Sequence, residues 1–170
     1  MGNPFVKLAR ETVEEYVLHG RVMEPPAKLD PRLREKAGVF VTIKKNGDLR
    51  GCIGTTSPTR DNIAQEIIAN ALSASQKDPR FPPVQAEELD QLRFSVDILG
   101  ESEQVESLAE LDPQTYGVIV EKGQRSGLLL PDLEGIDTPE EQVEIACKKA
   151  GIPSGSDLEL YRFRVDRYEE

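Results

Sequence analysis

The sequence predicts an α+β fold, with mostly antiparallel sheet from two β-hairpin–helix–strand units and an N-terminal helix. Three observations predict this class. The order hairpin, helix, strand occurs twice, in halves at about 39–99 and 117–168. The first hairpin carries Asn46-Gly47, the strongest short hairpin signal, because both turn positions need a positive φ. The 170 residues are of the length expected for one domain, which we place at 1–170.

The N-terminal helix is predicted over 4–19. Asn3 followed by Pro4 is a typical helix start, and Gly20 is a typical end. Residues 21–37 contain three prolines and no clear period, which favours an ordered connection. An internal duplication would explain the repeated order that follows, and chance is the alternative, since hairpins followed by helices are common.

The first unit begins with predicted strands at Val39–Lys44 and Leu49–Gly54. Ser57-Pro58-Thr59 then predicts a helix over 59–76, which must end before the proline-rich segment Asp78–Pro83. A short helical turn is predicted at Glu87–Leu92. The last strand, Arg93–Leu99, alternates so that Phe94, Val96 and Ile98 share one face.

The second unit has predicted strands at Gly117–Glu121 and Gly127–Leu130. Thr138 caps a predicted helix over 138–150. A single closing strand is predicted over Leu158–Tyr168, and the polar residues 100–116 are predicted as loop with one helical turn around Leu108.

Composition excludes several classes of function. The formal net charge is −10, which argues against a general nucleic-acid binder, although a local basic groove stays open. No apolar run is long enough to span a bilayer, and the start does not resemble a signal peptide, so we expect a cytoplasmic protein. Two cysteines and one histidine exclude a disulfide scaffold and the common zinc motifs, so we predict no metal and no cofactor.

Cys52 is the candidate nucleophile, because it stands between Gly51 and Gly54 inside a predicted strand. Glycine in a strand often marks a close approach by a ligand or by another backbone. Arg50 would lower the pKa of the thiol if its side chain came close. The alternative is a cysteine that serves as a small hydrophobic residue in a buried strand. His19, the single histidine, is interpreted as a helix-end residue, so a general base would have to come from another residue type.

The segment Asp78–Pro83 is the second candidate, since its prolines make it a stiff loop. Asp78 and Arg80 would either pair with each other or leave Arg80 to bind an anionic group, with Phe81 as a pocket wall. We expect Arg50, Cys52, Asp78, Arg80 and Phe81 to surround one cleft. Cys147 shares an apolar helix face and is predicted to be inert core.

Three segments together resemble the AMMECR-type family: Leu49–Thr55, Asp78–Pro83 and Gly127–Pro131. The likeness extends over nearly the whole chain. At Asp132–Pro139 the sequence lacks an aromatic-rich stretch of other members, and this variant resembles the short prokaryotic branch, AmmeMemoRadiSam system protein A. Members of that branch occur with, or are fused to, a Memo-type protein and a radical S-adenosylmethionine protein.

The resemblance implies a two-part α+β fold with a cleft near the Arg50–Cys52 strand, and it implies no settled reaction. Two hypotheses follow, so whether the protein is an enzyme stays open. One is an enzyme component that uses Cys52. The other is a binding module that docks on a Memo-type or radical-SAM partner. In either case the binding residues would be Arg50, Gly51, Gly54, Thr55, Asp78, Arg80 and Phe81.

Overall fold

The α+β class is confirmed by a computed structural model that describes residues 3–153, 155 and 157–170. The described chain forms two compact units, one of residues up to Leu99 with Asp166–Glu170, the other Gly100–Val165. No helix among the described residues has both the length and the apolar character to cross a membrane. The elements are α1 (Pro4–His19), β1 (Val39–Lys45), β2 (Asp48–Gly54), α2 (Ile63–Gln76), β3 (Leu92–Leu99), β4 (Glu103–Val105), β5 (Gly117–Lys122), β6 (Arg125–Leu129), α3 (Pro139–Ala150), β7 (Glu159–Phe163) and β8 (Val165–Glu169).

The first unit is a four-stranded sheet in the order β2-β1-β3-β8, against which α1 and α2 pack. Alternate residues of β1 are fully buried, and they pair with the buried face of β3. Phe94, Val96 and Ile98 lie on that face, as predicted. Burial of these apolar side chains between sheet and helices is the main stabilising contribution to this unit.

Helix α1 has the predicted bounds because its ends are set locally. The Asn3 side chain accepts a hydrogen bond from the Phe5 amide, and Gly20 takes the left-handed conformation with φ 68°. Helix α2, predicted to start at residue 59, starts at Ile63 instead, with Asn62 as the cap. The amides of Thr59 and Arg60 donate to the carboxylate of Glu66, which holds this stretch in a loop.

The second unit repeats the strand arrangement of the first. Its sheet has the order β4-β7-β5-β6, so in both units the hairpin's first strand lies between its partner and the strand that follows the helix. The outer strand β4 falls in a region predicted as loop. Its first two residues are exposed and polar, so no alternation marks it in the sequence.

The single closing strand predicted over 158–168 is wrong. The chain forms β7 and β8, which belong to different sheets and are separated at Arg164. The carbonyl of Arg164 accepts a hydrogen bond from the Gly100 amide at the break. Because Tyr161, Phe163 and Val165 keep the period of a strand across this point, the pattern alone could not reveal the interruption.

One glycine in each unit brings a helix backbone directly against the hairpin. A Cβ atom built on Gly51 would lie 2.2 Å from the carbonyl oxygen of Ala74 in α2. A Cβ atom on Gly127 would lie 2.2 Å from the carbonyl oxygen of Ala146 in α3. Both glycines are in the second strand of a hairpin, so the same close contact is used in both units.

Cys147 is buried in the core of the second unit, and burial raises the pKa of its thiol. We therefore expect a polar thiol reagent such as 5,5′-dithiobis(2-nitrobenzoate) to modify Cys147 only on unfolding. Mass spectrometry of the tryptic fragments after timed labelling measures this, and rapid labelling of the folded protein would contradict it. Cys147→Ala should lower the free energy of unfolding by about 1–2 kcal/mol, as expected for a small buried side chain.

Candidate functional site

Arg50 lies at a β-bulge in the first hairpin. Gly51 pairs with Ile43 and Leu49 pairs with Lys44, which leaves Arg50 as the extra residue on β2. Its side chain is buried and makes two hydrogen bonds to Glu88, Nε to Oε1 at 2.8 Å and Nη2 to Oε2 at 3.0 Å. The Arg50 guanidinium lowers the pKa of Glu88 to about 2, with a smaller contribution from Lys45.

Asp78 and Arg80 form an ion pair against the free edge of β2. Arg80 donates to the Asp78 carboxylate through Nε at 3.0 Å and Nη2 at 2.8 Å. Two backbone amides also donate to this carboxylate, that of Cys52 to Oδ2 at 3.0 Å and that of Arg80 to Oδ1 at 3.0 Å. Hydrogen bonding from Arg80 lowers the pKa of the buried Asp78 to about 2. Asp78 and Arg80 therefore pair with each other, and binding of an anionic group by the half-exposed Arg80 stays a prediction.

Phe81 lies beside both arginines. The guanidinium carbon of Arg80 is 5.5 Å from the ring centroid and that of Arg50 is 6.0 Å away. The structure therefore brings Arg50, Cys52, Asp78, Arg80 and Phe81 into one neighbourhood, and their role as a site stays a prediction. Helix α2 makes this possible because it carries the chain from the end of β2 back to the Asp78–Pro83 loop, which lies along β2.

The Cys52 thiol is partly buried, and its sulfur lies 3.3 Å from the Thr42 hydroxyl on the neighbouring strand. Arg80 is a cation beside Cys52, since its Nη2 donates to the Cys52 carbonyl oxygen at 3.4 Å. Its pKa is raised first by the hydrogen bond to Asp78 and, to a smaller extent, by the charge of the Cys52 thiolate. The Arg50 guanidinium, which was expected to lower the pKa of the Cys52 thiol if it came close, binds Glu88, and its effect on Cys52 stays a prediction. Glu88 and Thr42 were not predicted as neighbours of the site.

The other predicted binding residues have internal contacts that account for them. Ala74 of α2 fills the space beside Gly51, and the ring of Phe40 fills the space beside Gly54. The Thr55 hydroxyl donates to Glu66 at 2.8 Å and accepts from the Asn70 side chain at 3.3 Å. A binding role for these three residues remains a prediction.

Glu66 is the polar residue that organises the chain after β2, and no sequence pattern singles it out. Its side chain is fully buried in α2. It accepts hydrogen bonds from the Thr55 and Thr59 hydroxyls and from the amides of Thr59 and Arg60. These contacts hold residues 55–60 in a fixed conformation beside the helix.

Within the described residues, no three His, Cys, Asp or Glu side chains are grouped as metal ligands would be.

The sequence profile of the AMMECR1 family matches residues 6–169. The chain belongs to the AMMECR1 family. A crystal structure of an uncharacterised family member from Pyrococcus horikoshii has a TM-score of 0.91 to this fold, with 38% identity over 99% of this chain and 91% of that one.

Similar AMMECR1 proteins differ in overall length. A protein of Thermotoga maritima is 54% identical over 98% of both chains. A protein of Clostridium acetobutylicum is 51% identical over 99% of this chain, but this chain spans only 36% of its length. The family therefore includes a member in which a domain similar to this chain is one part of a longer polypeptide.

Proposed function

We propose that this protein is a non-catalytic binding module, and that it docks on a Memo-type or radical-SAM protein through the surface around Cys52, Arg80 and Phe81. One observation carries the proposal: the charged groups of this surface neutralise one another. Arg50 is held by Glu88, and Asp78 is held by Arg80. With its charges paired internally and the Arg80 side chain 53% exposed, this surface is suited to contacts with a partner's side chains.

The Asp78–Pro83 loop also determines how a partner could bind. Strand β2 is at the edge of its sheet, where unpaired backbone groups invite the addition of another strand. At Cys52 this edge is occupied, because Asp78 accepts from the amide and Arg80 Nη2 lies 3.4 Å from the carbonyl oxygen. A partner would therefore contact side chains, and exposed arginine beside an aromatic ring is typical of interface centres.

The length of the Clostridium acetobutylicum protein supports a module that works with other protein parts. The association with Memo-type and radical-SAM proteins comes from the resemblance to the short prokaryotic branch. Both purified partner proteins from the same genome are therefore the probes for the proposal.

The test measures binding of each purified partner to the immobilised protein by biolayer interferometry. We expect Arg80→Ala with Phe81→Ala to weaken the binding by about tenfold or more, as for residues at an interface centre. Arg34→Ala, which removes an exposed arginine elsewhere in the first unit, should change it little. Cys52→Ala should bind as the unmodified protein does. Failure of both partners to bind, or equal binding by the double variant, would overturn the proposal.

The enzyme-component hypothesis keeps one specific observation in its favour, the partial exposure of the Cys52 thiol next to Arg80. The pH dependence of Cys52 alkylation tests it, in the unmodified protein and in Arg50→Met and Arg80→Met. A thiol that reacts at a pH well below its usual pKa of ~8.5, and loses this property in Arg80→Met, would favour chemistry at Cys52. If the pKa of the Cys52 thiol is high and the same in all three proteins, the enzyme-component hypothesis is contradicted and the binding-module proposal stands.

A further inference from the structure

A groove of about 400 Å³ runs along the outer side of α2, in the first unit. The helix contributes Gln65, Ile68, Ala69, Leu72 and Ser73 to it, which recur at the spacing of one helical stripe. Thr55, Thr59 and Val22 complete the walls. Val22 is 61% exposed, which is unusual for a large apolar side chain. Ile68, Ala69, Leu72 and Val22 therefore offer apolar contacts among polar lining residues, which also include Asn70.

The charges of the groove are all of one sign. Arg60 precedes α2 and Lys77 follows it directly, and both line the groove. None of the described lining residues is acidic, in a protein whose net charge is −10. Two carboxylates lie at this end of the helix: that of Asp61 is exposed and does not line the groove, and that of Glu66 is fully buried and accepts hydrogen bonds from the loop. An anionic ligand is therefore favoured here in spite of the acidic composition.

The distance between the two cations sets the size of the ligand. Helix α2 has 14 residues, which at ~1.5 Å per residue separates its ends by about 21 Å. A small anion would reach only one cation. An extended peptide rises ~3.3 Å per residue, so about seven residues would reach from Arg60 to Lys77.

We propose that this groove binds an extended peptide segment of a partner protein, with an acidic residue at each end and apolar residues between. The acidic ends pair with Arg60 and Lys77, and the apolar residues pack against Ile68, Leu72 and Val22. The fixed conformation of residues 55–60 keeps one wall in place before the peptide arrives, which reduces the entropy lost on binding. This surface is separate from that around Cys52 and does not depend on the proposed function.

The test uses a fluorescein-labelled peptide of about seven residues, with Glu at both ends and Leu-Val-Leu in the middle, in fluorescence anisotropy titrations. We expect Arg60→Glu with Lys77→Glu to weaken its binding by about tenfold or more, since two ion pairs become repulsive. Lys28→Glu with Lys36→Glu makes the same change in net charge at exposed positions outside the groove and should have an effect below about twofold. Val22→Asp should also weaken binding, because it removes an apolar contact at an exposed position that the fold does not need.

Three outcomes would overturn the proposal. Equally tight binding of a peptide with Lys at both ends would show that the contact is only apolar. Displacement of the peptide by an equal concentration of glutarate would show that a single small anion is the ligand. Binding of vesicles that contain phosphatidylserine, without binding of the peptide, would show that this face is a membrane contact. Circular dichroism and thermal melting of every variant separate loss of binding from loss of fold.

Discussion

Gly51→Ala is expected to lower the free energy of unfolding by about 3 kcal/mol, at the upper end of the range for overpacking a well-filled site. The added methyl group would lie 2.2 Å from the carbonyl oxygen of Ala74. A backbone oxygen inside a helix cannot rotate away as a side chain can, so α2 or the hairpin must move. Because this contact joins β2 to α2 in the core of the first unit, the displacement would also disturb the packing of side chains along α2.

Gly127→Ala should have a similar effect in the second unit, where the methyl group would meet the carbonyl oxygen of Ala146. Urea unfolding followed by circular dichroism measures both variants. Gly54→Ala is the matched control, since its methyl group meets the Phe40 side chain, which can change its χ1 rotamer, and meets no helix backbone. We expect it to cost less than either of the others. Equal costs at all three glycines would show that the clash with the helix backbone is not what requires glycine at 51 and 127.

The parts of the fold that the sequence predicts well are those with local causes. The caps of α1 and α3 involve residues within a few positions of the helix ends, so Asn3 and Thr138 could be identified directly. The same holds for the alternation of β3 and for the Asn46-Gly47 turn, where both residues have positive φ.

The errors arise where a distant residue decides the local structure. Helix α2 begins later than predicted because the buried Glu66 holds Thr59 and Arg60 in a loop by accepting hydrogen bonds from their amides and from the Thr59 hydroxyl. The break at Arg164 depends on which sheet each half of the closing segment joins, and the apolar alternation is the same on both sides. Local propensity carries no information on either choice.

In the candidate site, too, the contacts between residues near in sequence could be predicted and those with distant residues could not. The Asp78–Arg80 pair joins residues two apart and was one of the two alternatives for that loop. The partner of Arg50 is 38 residues away in sequence, on a short helix whose acidic residues have the pattern of a solvated face. The glycines at 51 and 54 do mark close approaches, as expected for glycine in a strand, but the approaching groups belong to the protein itself.

Acid is expected to destabilise the first unit through Asp78 and Glu88. The pKa of each carboxyl is lowered to about 2 in the folded protein, by hydrogen bonds from Arg80 and Arg50 respectively. A carboxyl with a lowered pKa in the folded state stabilises the protein at neutral pH, and this contribution is lost as the pH falls from about 5 to about 2. From the size of the two shifts, Asp78 contributes about 2 kcal/mol and Glu88 about 3 kcal/mol.

The comparison that isolates this effect is between the unmodified protein and Asp78→Asn with Glu88→Gln, in urea unfolding at a series of pH values. The double variant should be less stable at neutral pH, and the difference should shrink between about pH 5 and pH 2. Asp97 has a raised pKa because it is buried, so its protonation has the opposite effect on stability. It is present in both proteins and cancels in the difference. Glu87→Gln, an exposed neighbour of Glu88, is the control. A difference that stays constant down to about pH 2 would show that neither ion pair holds its carboxyl in the charged form.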